Sequence, residues 1–186
     1  MRRFVPLLFV GGIALLTADA CRARQPESPY RPTATVKDIM DSIIDPSADF
    51  LWDSVATIVT LTGTEERQPR SDEEWRNVRR RAIQVIEGTN LILMPDRHVA
   101  RPGERSENPN VELEPEQIET RIKEDRQTWV TQAHALHDAG VQALKAIDAK
   151  NAKDLIDAGE VLDTACENCH LKYWYPNAAP PPPSKP

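Results

Sequence analysis

The chain has 186 residues, and 29 Asp and Glu outweigh 23 Lys and Arg to leave a formal net charge of −6. That balance argues against nucleic acid as a partner, because an acidic surface repels phosphate. Aromatic residues make up only 5%, while Ala, Glu, Asp and Arg recur with apolar residues at three- and four-residue steps, a pattern that predicts an all-α protein.

Arg2 and Arg3 precede an apolar stretch from Phe4 to Leu16, followed by Ala18-Asp19-Ala20. This order of basic, apolar and small residues predicts a signal peptide over residues 1–20, and hence export to the periplasm. The apolar stretch is too short for a membrane span. Cys21 directly follows the expected cleavage site, so a lipid on its thiol would anchor the protein to a membrane. Asp19 departs from the small residues usual in lipoprotein signals, and ordinary cleavage would leave Cys21 a free thiol. Residues 21–32 are polar and Pro-rich and read as a flexible tether. Residues 33–175 suit one domain.

A first helix is expected from about Thr33, with Val36, Ile39, Met40, Ile43 and Ile44 on one stripe. Pro46 should kink or restart it, with Asp45 as a cap. The stripe resumes at Leu51, Val55, Ile58 and Val59 and ends near Gly63. Ser71 and Glu74 have capping-box spacing ahead of a second helix, whose buried face should hold Trp75, Val78, Ala82, Val85, Ile86, Thr89 and Leu93. Residues 95–114 read as a long exposed loop. Pro115 and Glu116 open a third helix, with a stripe from Ile118 through Trp129 to Ile147. Asn151 should cap a fourth, carrying Leu155, Ile156, Leu162 and Ala165 and stopped by Pro176. Residues 176–186 form a proline-rich tail expected to be disordered. Four successive amphipathic helices predict a four-helix bundle whose first and last helices are neighbours.

The last helix contains Cys166-Glu167-Asn168-Cys169-His170. C-x-x-C-H is the attachment spacing of a c-type haem. Two thiols add across the porphyrin vinyl groups, and the following imidazole binds iron. On a helix the three residues stand at i, i+3 and i+4 and share one face. A thioredoxin-type redox pair would want a βαβ context, which is missing, and a zinc site would want a second ligand pair. The expected cofactor is therefore one covalently bound haem c with its iron, held by Cys166, Cys169 and His170 near the C-terminal end of the last helix.

With an export signal, a helical bundle and C-x-x-C-H close to the C-terminus, the chain resembles class II c-type cytochromes, the cytochrome c′ and cytochrome c556 group. Tyr173 stands where this group often has an aromatic residue, and Val36-Lys37-Asp38-Ile39-Met40 is similar to its first-helix segment facing the distal side of the haem. The resemblance implies Met40 as sixth iron ligand, as in cytochromes c556. It also implies the alternative of cytochromes c′, a five-coordinate iron open to nitric oxide or carbon monoxide. A homodimer is a further implication. Pro46, the 95–114 segment, the proline tail and Trp174 depart from the group.

Other candidates have plainer readings. Met40 could be core filler. Met94 lies at a helix end beside Pro95. His134 and His137 are alternative sixth ligands or surface imidazoles, and His98 lies in the loop. Arg76, Arg79, Arg80, Arg81 and Lys37 are possible partners of haem propionates. Trp75 and Trp129 read as core anchors, and Tyr173-Trp174-Tyr175 could shield the porphyrin edge. The expected function is single-electron transfer between periplasmic redox proteins, with no enzymatic activity because no distal acid–base pair is evident. Intact-mass analysis of exported protein is expected to show a chain beginning at Cys21 or soon after; lipid mass on Cys21 would instead put the protein on a membrane surface.

Overall fold

The computed structural model describes residues 28–178. The expected signal peptide, Cys21, and most of the tether and tail lie outside the described residues. Within them the protein is mostly helical with one small antiparallel sheet.

Helix α1 (Val36–Ile39) starts with a capping box. Thr35 Oγ1 accepts from the Asp38 N–H at 3.1 Å, and Asp38 Oδ2 accepts from the Thr35 N–H at 2.9 Å. Such reciprocal caps typically contribute about 1 kcal/mol. A π turn (Met40–Ile44) joins α1 to α2 (Asp45–Ser54) in one rod, helical backbone angles continuing through both junctions. Pro46 explains the turn. It has no N–H, and its ring crowds the preceding turn's carbonyls, so the rod widens and the Asp45 N–H bonds the Met40 carbonyl. The expected interruption is therefore a bulge, and Asp45 provides no side-chain cap; Ile44 is the N-cap residue.

The stripe predicted to run on to Gly63 is corrected by a hairpin. Helix α2 ends at Ser54, and β1 (Ala56–Thr60) pairs antiparallel with β2 (Gly63–Arg67), Ala56 opposite Arg67 and Thr60 opposite Gly63. Thr57, Ile58, Val59 and Thr60 are all β-branched and favour a pleated surface. Gly63 has φ +145°, open to glycine and strained for other residues.

Helix α3 (Asp72–Ile92) carries the predicted Ser71–Glu74 capping box, and its predicted face is buried apart from Leu93, which is half-buried. The predicted third helix is two helices, α4 (Pro115–Glu124) and α5 (Arg126–Asp148). Asp125 leaves helical geometry (φ −131°, ψ 61°), and its carboxylate caps α5 by accepting from the Thr128 N–H at 3.1 Å. Asn151 caps α6 (Ala152–Tyr173) as expected.

Contacts fix the helix directions. Along the rod and α3, Ile44 meets Gly88, the Ser47 hydroxyl donates to Gln84 at 3.0 Å, and Phe50 lies under Arg81, so the two run antiparallel. Arg79 pairs with Asp148 at 2.7 Å, while Arg126 donates to the Leu93 carbonyl at 2.6 Å, making α5 antiparallel to α3. The short link through Ala149–Asn151 returns α6 along α5. The Trp52 indole donates to the Gly159 carbonyl at 3.1 Å, tying α2 to α6. The enclosed core includes Ile39, Leu51, Val85, Leu136, Ile147 and Leu162; burying each such side chain stabilises by roughly 1.5–3 kcal/mol.

Gly88 has no room for a side chain. A Cβ there would stand 2.6 Å from Ile44 Cγ1, itself buried in the π turn. Gly88→Ala is expected to destabilise by about 1–2 kcal/mol, since overpacking outweighs the ~1 kcal/mol gained in helix propensity. Denaturant midpoints would check this; an unchanged or raised midpoint would show that the rod yields freely at Ile44.

Candidate cofactor site

Where the rod diverges from α6 lies a cavity of about 260 Å³. Val36, Lys37, Met40, Asp41 and Asp45 form one wall, all from α1, the π turn and the start of α2. Cys169 and His170 face them from α6, with Tyr173, Trp174 and Tyr175 beyond. Trp129 of α5 closes a third side, and the 95–114 segment supplies the fourth through Ala100, Arg105, Ser106, Glu107, Glu112 and Leu113.

The 95–114 segment is a largely exposed loop, as expected, and its inward side forms this wall. Val99 is 1% exposed. The carbonyls of His98 and Val99 accept from the N–H groups of Val36 and Lys37, both at 2.9 Å, satisfying the start of α1. The Leu113 N–H donates to the Trp174 carbonyl at 2.8 Å. Arg101 pairs with Asp38, and Lys37 with Glu107 at 2.9 Å. Glu112 accepts from the Ser106 hydroxyl at 2.7 Å and the Asn108 N–H at 3.0 Å, bonds that hold its pKa below the ordinary value.

The motif residues sit as the i, i+3, i+4 spacing requires. Cys169 and His170 line the cavity, and Cys166 lies one turn earlier; all three are half-buried. Both thiols are free. Burial pushes each up to about 12, and at Cys166 the nearby Asp45 and Asp163 carboxylates add to the effect. The folded chain therefore holds neutral thiols at physiological pH. Burial also raises the Asp45 pKa, against an opposing pull from His170. The His170 ring tilts against Tyr175 at 5.8 Å, and the Tyr175 hydroxyl donates to Glu167 at 2.7 Å.

Tyr173 is buried and meets Trp129 edge-on at 5.1 Å. Trp129 is 4% exposed, yet its indole N–H is without a hydrogen-bond partner among the described residues. Buried donors are rarely left so.

Several predicted candidates lie elsewhere. Met94 Sδ contacts Arg97, His98 meets Glu119, His134 is exposed, and His137 pairs with Asp138 at 3.2 Å. None lines the cavity. Arg79 and Arg81 are engaged with Asp148 and Phe50, and Arg80 donates to Asn77; with Arg76 they too stand outside it. Trp75 is a core residue, as expected. Lys37 does line the cavity, and so does Arg105, which was not anticipated because nothing in the sequence sets it apart from the other charges of its segment.

Among the described residues no three His, Cys, Asp or Glu side chains converge closely enough to cage a metal ion. Met40, Cys169 and His170 line the cavity and Cys166 stands one turn away from it, a donor set of thioether, thiols and imidazole that could hold a metal-bearing cofactor. Compared with protein families, curated proteins and solved structures, the chain matches none.

The thiols make the cavity testable without a cofactor. Free Cys ionises near 9.0, against about 12 here, and only the thiolate reacts. Alkylation of Cys166 and Cys169 in the haem-free folded chain at pH 8 is expected to run at least about a hundredfold slower than in denaturant. Equal rates, followed by mass spectrometry of the two peptides, would contradict their enclosure.

Proposed function

We propose that this chain is a class II c-type cytochrome, a four-helix bundle carrying one covalent haem and passing single electrons between periplasmic redox proteins. The observation that carries this reading is the meeting of Met40 and His170. They are 130 positions apart in sequence and line the same cavity, beside Cys169. The rod, α3, α5 and α6 would be the four helices of the bundle.

The residues present fit the group. Cys166 and Cys169 are unbridged and stand on the helix face from which they would hold the porphyrin. His170 would bind the iron through its imidazole, and Met40, which lines the same cavity, would offer it a soft, neutral thioether. Trp129, Tyr173, Trp174 and Tyr175 give aromatic walls suited to a flat ring. Bound haem supplies a ferric–ferrous couple whose potential follows its axial ligands and surroundings. The protein's share is to fix those ligands, exclude water and lower the local dielectric. If His170 and Met40 both bound the iron, it would have no place for a substrate, as a carrier rather than an enzyme requires.

The test is protein exported from a host that attaches haem. The expected product is coloured, heavier than the bare processed chain by one haem, and unchanged in its reduced spectrum by carbon monoxide. Met40→Ala should lose the ferric thioether charge-transfer band at the red end and acquire a carbon monoxide response. A colourless product of bare mass would refute the proposal. A carbon monoxide response in the unaltered protein would replace the carrier by a five-coordinate, gas-binding haem protein.

A further inference from the structure

We infer that Tyr175, anchored on Glu167, sets the orientation in which His170 presents its imidazole to the haem iron; this rests on the haem reading above. Tyr175 and His170 line the same cavity, and their rings meet at 5.8 Å with an interplanar angle of 59°. The Tyr175 hydroxyl reaches back eight positions to donate to Glu167 Oε2 at 2.7 Å, a short, charge-assisted bond between half-buried side chains. Glu167 lies between the two motif cysteines and stands three residues before His170, on the neighbouring turn of α6.

The chain beyond α6 holds the tyrosine in place. The His170 carbonyl accepts from the N–H groups of Trp174 at 2.7 Å and Tyr175 at 3.0 Å. Pro176 turns Tyr175 away from helical backbone angles, and the Tyr175 carbonyl accepts from the Ala178 N–H at 2.9 Å. These backbone bonds suffice to end a helix. The bond to Glu167 adds a second hold at the far end of the side chain, which keeps the ring from swinging off the imidazole. An iron-bound histidine is ordinarily oriented by a hydrogen bond at its other ring nitrogen. Among the described residues neither ring nitrogen of His170 makes one, so the orienting contact falls to the Tyr175 ring. Tyr175 and Glu167 are thus positioning residues, and a position that the C-x-x-C-H spacing leaves open acquires a task.

The experiment uses exported holoprotein in the ferric state with added cyanide. Cyanide is linear and takes the sixth position, so the NMR shifts of the haem methyl protons follow the plane of the His170 ring. Tyr175→Phe and Glu167→Ala each break the anchor, whereas Glu167→Gln keeps an acceptor for the hydroxyl. The first two are expected to move the methyl resonances to one shared new pattern and the third to keep the original, with haem mass unchanged in all. A pattern that stays in place in Tyr175→Phe or in Glu167→Ala, whatever happens to the melting temperature, would overturn the inference and leave Tyr175 as packing at a helix end. Equal movement in Glu167→Gln and Glu167→Ala would also overturn it, by tracing the effect to charge. A chain that gains no haem mass with both residues intact would overturn the haem reading and this inference with it.

Discussion

The site depends on one constraint: the first helical rod must touch α6 at one end and stay clear of it at the other. Contact is made where Trp52 lies over Gly159, a position at which a Cβ would come within 3.1 Å of the indole. Clearance is made at the opposite end, where the π turn re-aims Met40 and Asp45. An ordinary α-helical rod through Pro46 would lose a backbone bond and clash with its own preceding turn. The bulge relieves both and places Ile44 into the space left by Gly88. A proline, a bulge and two glycines thus decide where helix packing stops and the cavity starts.

The cavity's electrostatics depend on the same arrangement. The chain is acidic, yet the cavity rim is mixed. Asp41, Asp45, Glu107 and Glu112 line it together with Lys37 and Arg105. Lys37 has its pKa raised chiefly by its hydrogen bond to Glu107, so the pair sets a local cation against an acid supplied by the 95–114 segment. The thiols and the Trp129 indole are neutral and buried deeper. Charge stays at the mouth, and the interior offers soft or neutral groups, an order that suits a flat, largely apolar ring carrying its own charges at one edge.

Much of this was legible in the residues, and the rest was hidden for identifiable reasons. Ser71–Glu74 and Asn151 announced α3 and α6 because side-chain caps act within one turn and leave a local signature. The i, i+3, i+4 cysteines and histidine were legible for the same reason. The hairpin was obscured because Val55, Ile58 and Val59 fit a helical stripe as well as a strand, and only the run of four β-branched residues favours pleating. The break at Asp125 was masked by stripe residues on both sides of it, Ile122 and Trp129. Residues 95–114 are largely exposed, as their charges suggest; what the charges concealed is the inward side, where Val99 is buried, Glu112 accepts from Ser106 and Arg101 pairs with Asp38. Their partners lie outside the reach of any periodicity argument.

The same difference in reach separates motif from site. C-x-x-C-H is a property of five adjacent residues and needs only a helix. The cavity draws on segments near positions 36–45, 100–113, 129 and 169–175, and each is fixed by a contact with another: His98 and Val99 to the start of α1, Leu113 to Trp174, Trp129 to Tyr173. A helix bearing the motif alone would present an imidazole and two thiols to water. Only the assembled fold brings Met40 to the same cavity as that imidazole and shields the thiols, so the difference between a motif and an enclosed site lies in tertiary structure, carried largely by residues in which no motif can be read.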